Sequence, residues 1–217
     1  RRVVFLVESH ETVEGTVQEA LKEFFSSEAG DFVTAVDEKN SIVVKELSPE
    51  DTYTEVQKIA DSMLDMLSSE VMLSTRVSYG TIVNEIKEVS RSYKEAKMAL
   101  EVGKIFFVDR RIVAYNALGI GRLIYQLPIP LCKMFIKEIF ADVSPDDFDE
   151  ETLETIAKFF ENNLNVSETS RQLFIHRNTL VYRLDKLDRA TGLDLRVFDD
   201  AITFQIALMV VKYMKYM

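Results

Sequence analysis

The sequence predicts an α+β protein in two parts, a βαββαβ region followed by an all-helical region. Apolar runs of strand length alternate with stretches of helical periodicity up to about residue 115, and only helix signals follow Leu118. Late in the helical part, residues 165–192 read as two helices joined by a tight turn.

The first strand is VVFLV (3–7), followed by a helical stretch from Glu11 to Phe25. Two β-rich runs, 32–36 and 41–47, flank the turn-forming Asp37-Glu38-Lys39-Asn40 and read as a hairpin. Val56, Ile59, Ala60, Met63, Leu64 and Leu67 recur at helical spacing over Asp51–Leu67, and RVSYG (76–80) closes the pattern. The order implies a sandwich with helices on one sheet face. A helix over Ser90–Val102 is expected to stop at Gly103, with 105–108 and 112–115 forming an edge hairpin around Asp109-Arg110-Arg111. Gly119 and Gly121 are spaced as GxG, but the third glycine of a dinucleotide fingerprint is missing, so a flexible linker entering a helix is expected.

The domain boundary is expected between 116 and 148, in a stretch punctuated by Pro128, Pro130 and Pro145. Beyond it Asp149 reads as a helix cap and Phe148 as a staple onto Leu153, with Leu153, Ile156, Ala157 and Phe160 forming the apolar stripe. The last helix, 201–214, is apolar nearly all round, which fits burial together with a subunit contact.

With 47% apolar and 29% charged residues, the 217-residue chain has the composition of a globular protein. RRVVFLVESHE holds too short an apolar run for a signal peptide, and no run approaches the roughly 18 residues of a membrane span. A cytoplasmic protein with no membrane association is expected. Cys132 has no second cysteine to pair with and reads as an inert buried thiol. The chain opens on Arg1, so a fragment of a longer protein is expected, with a ligand sensor preceding it.

A net charge of −10 argues against a nucleic-acid partner until its distribution is considered. Residues 1–148 carry −8 and residues 149–217 carry −2, whereas residues 165–196 carry +2. The basic island coincides with the helix pair.

In that pair Asn165 caps the first helix with Glu168 as reciprocal partner, and Val166, Thr169, Ser170 and Leu173 mark its inward face. Phe174-Ile175-His176 form the joint, Ile175 plugging the angle. In the second helix Leu180, Leu184 and Leu187 define the buried face. At about 100° per residue, Asn178, Tyr182 and Arg189 point away from it, with Thr179, Asp185 and Lys186 beside them. A helix presenting such groups from its N-terminus suits the major groove, where Asn178 matches adenine and Thr179 matches thymine or phosphate. Arg177 and Arg183 flank that stripe within reach of phosphates or a guanine edge. The same periodicity also describes the solvated polar face of an ordinary helical hairpin.

The wording RQLFIHRNTLVYRLDKLDRATGLDL closely resembles the C-terminal helix-turn-helix domain of the PucR/CdaR family of bacterial regulators, above all in His-Arg-Asn-Thr-Leu, Tyr-Arg-Leu and Thr-Gly-Leu. It is also similar to the helix-turn-helix of the nucleoid protein Fis at Asn165, Arg177, Thr179 and Leu180, although the joint there usually carries glycine and here carries Phe174. SRSYKEAKMALEVGK (90–104) is similar to the stretch that closes the GGDEF-like domain of CdaR-type regulators. The resemblance implies a degenerate GGDEF-like, ferredoxin-like domain over 1–125, a helical linker over 126–148 and a Fis-like, PucR-type helix-turn-helix domain over 149–217. It further implies a sequence-specific transcription regulator that binds double-stranded promoter DNA as a homodimer, with a small-molecule effector possible. Arg171, His176, Arg177, Asn178, Thr179, Tyr182, Arg183 and Lys186 are the DNA-binding candidates.

No catalytic residue, metal site or cofactor is expected. A diguanylate cyclase needs glycines in its signature turn so that the backbone can approach phosphate, and Asp37-Glu38-Lys39-Asn40 has none. Glu8 ends the first strand as a lone carboxylate, and Ser9 and His10 have no third triad member. Two other readings stay open: a nucleotide- or metabolite-sensing module acting on partners without touching DNA, and a protein-interaction module, which the charge of −10 favours.

Overall fold

The computed structural model describes all residues except 11–15, 26–29, 73, 141, 142, 144, 146 and 147, together with the side chains of Glu70 and Val71. The chain divides into two compact units, Arg1–Tyr125 and Gln126–Met217.

The first unit is built on a sheet of strands β1 (Arg2–Ser9), β2 (Phe32–Ala35), β3 (Asn40–Glu46), β4 (Thr75–Tyr79) and β5 (Ile112–Ala114), in the order β2-β3-β1-β4-β5. β1 lies antiparallel between β3 and β4, β2 pairs antiparallel with β3, and β5 pairs parallel with β4. The β2–β3 hairpin turns where expected. Asp37 Oδ1 accepts from the backbone N–H groups of Lys39 and Asn40 at 2.8 and 2.9 Å, an Asx arrangement that closes the turn without glycine.

Helix α1 spans Thr16–Phe24; the start expected at Glu11 lies outside the described residues. Helix α2 spans Tyr53–Met66, where Thr52 and Glu55 close a reciprocal cap, and it continues through one wide turn at Leu67–Val71. Val17 and Leu21 of α1 and Val56, Ala60 and Met63 of α2 pack with Val3, Phe5 and Val7 of β1 on one sheet face. That is the face expected to carry helices. The other face is covered as well, by helix α3 (Val89–Phe106), whose Ala96 and Leu100 pack with Leu6. Five consecutive buried residues in β1, Val3–Val7, require cover on both sides.

α3 approaches the sheet closely because its contact side is lined by small residues. Ser92 Oγ accepts from Val4 N–H at 3.1 Å and donates to the Thr81 carbonyl at 2.8 Å, while Ser78 Oγ donates to the Ala96 carbonyl at 2.8 Å. A Cβ on Gly103 would stand 2.8 Å from Val113 Cγ2. The sequence reading placed the helix end at Gly103 and a hairpin at 105–115. Instead α3 runs through Gly103 to Phe106, and only Ile112–Ala114 forms a strand, parallel to β4. Gly103 is there for close approach to β5, which outweighs the weak helix propensity of glycine. The stretch at Gly119 and Gly121 enters a helix, as expected. Gly121 opens the one-turn helix α4 (Gly121–Ile124), where a Cβ would lie 3.0 Å from the Phe106 ring.

The second unit contains helices α5 (Ile129–Phe140), α6 (Glu150–Glu161), α7 (Val166–Gln172), α8 (Arg177–Thr191) and α9 (Phe198–Tyr216). Phe140, Ile156, Phe159, Leu180, Leu184, Leu187, Leu195, Phe204 and Ala207 form its core. Phe140 ends α5, so the 126–148 stretch contributes to this core. Asp149 caps α6, accepting from Thr152 N–H at 2.7 Å. Phe148 does not staple onto Leu153; its ring stacks on Phe204 at 6.4 Å and meets Phe140 edge-on, while Leu153 is exposed. The apolar stripe of α6 is rotated accordingly. Thr155, Ile156 and Phe159 are buried, and Ala157 faces out. No described helix is long and apolar enough to cross a membrane.

Two substitutions test the α3 clamp. Ser92→Ala leaves the Val4 N–H without its acceptor in the core and is expected to cost about 1–3 kcal/mol in urea unfolding. Gly103→Ala forces a methyl against Val113 and is expected to cost a similar roughly 1–3 kcal/mol. Unchanged midpoints in both variants would show that α3 is not held as described.

Candidate nucleic-acid interface

The helix pair of the second unit is built from its caps inward. Asn165 Oδ1 accepts from Glu168 N–H at 3.0 Å, as expected, but the Glu168 carboxylate does not return to Asn165. It accepts instead from Arg171 Nε at 3.0 Å and Gln172 Nε2 at 2.9 Å, bonds that hold its pKa down to about 2. Thr169 and Ser170 are buried where α7 packs against α8, and their small side chains permit the close crossing. Leu173 and Ile175 pack against the core of the unit.

The joint is a left-handed helix stop. Phe174 N–H donates to the Arg171 carbonyl at 3.2 Å and Ile175 N–H to the Ser170 carbonyl at 3.0 Å, the paired bonds of a Schellman motif. Its left-handed position is held by Phe174, at φ +54°. Glycine is the usual residue there, and a side chain in this region costs about 1–2 kcal/mol. α8 itself ends on a glycine, Gly192, at φ +74°. The Phe174 ring is 96% exposed.

His176 caps α8, its Nδ1 accepting from Asn178 N–H at 3.2 Å. A neutral ring in that bond carries its proton on Nε2, leaving a donor on the far side of the imidazole. Leu180, Leu184 and Leu187 are buried as the spacing requires. His176, Arg177, Asn178, Thr179 and Lys186 are exposed, and Tyr182 is 62% exposed; at about 100° per residue Asn178, Thr179, Tyr182 and Lys186 lie on the side away from the leucines, while His176 and Arg177 flank it at the N-terminus.

Arg171 and Arg183 are engaged within the unit. Arg171 is exposed but paired with Glu168 along α7. The Arg183 side chain is only 16% exposed; its guanidinium donates to Thr155 Oγ1 at 3.0 Å and to Glu151, tying α8 to α6. Thr155 and Glu151 are more than twenty residues away in sequence, and no local pattern points to them. Arg196 pairs with Asp194 at 2.7 Å and with Asp185 at 2.8 Å. Among the described residues Arg177, Lys186 and Arg189 have no ion pair.

In the first unit Glu8 is not a lone carboxylate. Lys104 Nζ lies 2.6 Å from Glu8 Oε1 and 3.0 Å from Glu101 Oε1. Burial pulls the Lys104 pKa down, but its hydrogen bonds to both carboxylates outweigh this and leave it raised. Ser9 is buried and His10 exposed, and among the described residues no three His, Cys, Asp or Glu side chains form a metal-holding group.

Known proteins agree with both halves of this geometry. Residues 1–102 match the GGDEF-like domain and residues 152–210 match the PucR C-terminal helix-turn-helix domain. The chain is similar to the carbohydrate diacid regulator of Escherichia coli, 32% identical over 70% of this chain and 40% of that protein. It is similar to the purine catabolism regulatory protein of Bacillus subtilis, 25% identical over 78% of this chain and 33% of that protein. It also matches the DNA-binding transcriptional activator AdeR of Bacillus subtilis, 23% identical over 80% of this chain and 42% of that protein. The chain thus spans well under half the length of these curated relatives. The chain belongs to the PucR/CdaR regulators, carrying a GGDEF-like domain followed by a PucR C-terminal helix-turn-helix domain.

Proposed function

We propose that this chain binds double-stranded DNA in a sequence-specific manner and acts in transcription regulation, with α8 as the recognition helix. The observation that carries the proposal is the outer side of α8. His176, Arg177, Asn178, Thr179, Tyr182 and Lys186 stand exposed at and beyond a helix N-terminus, within a match to the PucR helix-turn-helix domain. A relative of the chain is named as a DNA-binding transcriptional activator, and two others as regulators.

Asn178 is the adenine reader, its amide suited to the paired acceptor and donor on that base edge. Arg177, in the first turn beside the positive end of the α8 dipole, takes a guanine edge or a phosphate. Thr179 and Tyr182 offer hydroxyls, and Lys186 is a phosphate contact one turn further on. Arg171 and Arg183 contribute as supports: Arg171 orders α7 and Arg183 holds α6 against α8.

The domain limits are 1–125 for the GGDEF-like part and 149–217 for the DNA-binding part, with 126–148 leading into the latter through α5. The antiparallel β2-β3-β1-β4 order supports a ferredoxin-like class for the first domain, and the Schellman joint between α7 and α8 supports a Fis-like class for the second. The first domain is non-catalytic, since its hairpin turn lacks glycine and its Glu8 is held by Lys104. It transmits or dimerises, and a small-molecule effector acts through it. A single recognition helix reads too few base pairs for tight binding, so a cytoplasmic homodimer on two half-sites is the working form.

A gel shift on the DNA upstream of the chain's own gene tests this. Asn178→Ala is expected to weaken binding by roughly 1–3 kcal/mol with altered sequence preference, whereas Lys186→Ala weakens all sequences alike and lowers the salt slope by about 1. Arg183→Ala lowers the melting temperature without altering sequence preference. No shift by the wild type at low salt would refute the proposal.

A further inference from the structure

We propose that Phe174 is a DNA-contact residue, its ring seated on the apolar C–H surface of the groove wall, a deoxyribose or a thymine methyl, where α8 enters. The inference rests on the reading of α8 as the recognition helix. Among the described residues four that are not glycine have positive φ: Met72, Asn163, Leu164 and Phe174. Asparagine tolerates this region, and the Leu164 side chain packs against the core of its unit. Met72 is exposed but carries no aromatic ring, and it belongs to the first unit, whereas the helix pair belongs to the second. Phe174 alone combines a bulky aromatic ring, 96% exposure and a place in the joint.

Among the described residues nothing rewards this arrangement. The Schellman bonds of the joint need only the backbone, and its apolar plugs are the neighbours Leu173 and Ile175, which pack inward. Glycine would make the same turn without strain and without exposing a ring. A residue that is unfavourable both in backbone and in hydration, held beside a binding face, points to a bound partner that covers it. The partner must be the one that meets the first turn of α8, because Phe174 stands two residues before the cap His176 and three before Arg177. Aromatic rings meet thymine methyl groups and sugars in the grooves by apolar contact, adding discrimination without charge. Arg177 supplies the electrostatic attraction beside it.

The test compares the full chain with its Phe174→Gly variant on upstream DNA made with thymine or with deoxyuridine throughout. Glycine suits the left-handed position, so the variant is expected to melt at or above the wild-type temperature while its DNA affinity falls about tenfold, in the range of one lost base contact. If deoxyuridine weakens the wild type but not the variant, the ring meets a thymine methyl; if it affects both equally, the ring meets a deoxyribose. Either supports the contact. A variant that binds as tightly as the wild type overturns it, as does one that melts clearly lower, because the ring then serves the fold. A wild type that shifts no DNA at low salt overturns instead the reading of α8, and the Asn178→Ala comparison fails with it.

Discussion

Burial of Leu180, Leu184 and Leu187 is the constraint on which the helix-turn-helix half depends. These three side chains sit on one side of α8 and lock its rotation against Phe159, Phe204 and the rest of the core. Each buried leucine contributes about 1.5–3 kcal/mol, far more than any solvated polar group on the opposite side. Rotation of α8 is therefore set by apolar packing, and the identity of the outward residues is free to serve recognition. Small Thr169 and Ser170 let α7 cross closely enough for the three leucines to be sealed. Arg183, next to the leucine seam, is drawn to Glu151 and Thr155 and reinforces the same rotation.

The first unit follows a parallel logic. A continuous apolar β1 demands cover on both faces, and α3 supplies the second cover only because Ser92, Ala96, Ala99 and Gly103 keep its contact side small. The serine hydroxyls there satisfy backbone groups that the close approach shuts off from water. At the end of the central strand β1, Glu8 is paired with Lys104 of α3, an ion pair that ties the helix to the sheet.

Features set by local chemistry were legible in the sequence: the Asp37–Asn40 turn, the apolar spacing of α2, the Asp149 cap, the Asn165 cap and the leucine face of α8. Each rests on steps of no more than four positions between neighbouring residues of the pattern. Features set by distant partners were not. Ile105–Val108 looks like a strand because its apolar run is short, but packing of Gly103 on Val113 carries the helix onward to Phe106. Phe148 finds Phe204, 56 positions on, in preference to Leu153, and this turns the buried stripe of α6 toward Thr155 and Phe159. At the site, periodicity identified the outer side of α8, but the pairing of Arg183 with α6 and of Arg196 with Asp185 needed the fold. The strain at Phe174 became visible only once its backbone angle and exposure were known.

Backbone amide shifts of the isotopically labelled chain, recorded by NMR while duplex DNA from upstream of its gene is added, test the central claim most directly. If α8 reads DNA, the largest changes cluster in residues 174–186, and the amides of α9 and of the β-sheet move little. Changes concentrated on α9 or in the first unit, with residues 174–186 unmoved at saturating DNA, would contradict the account.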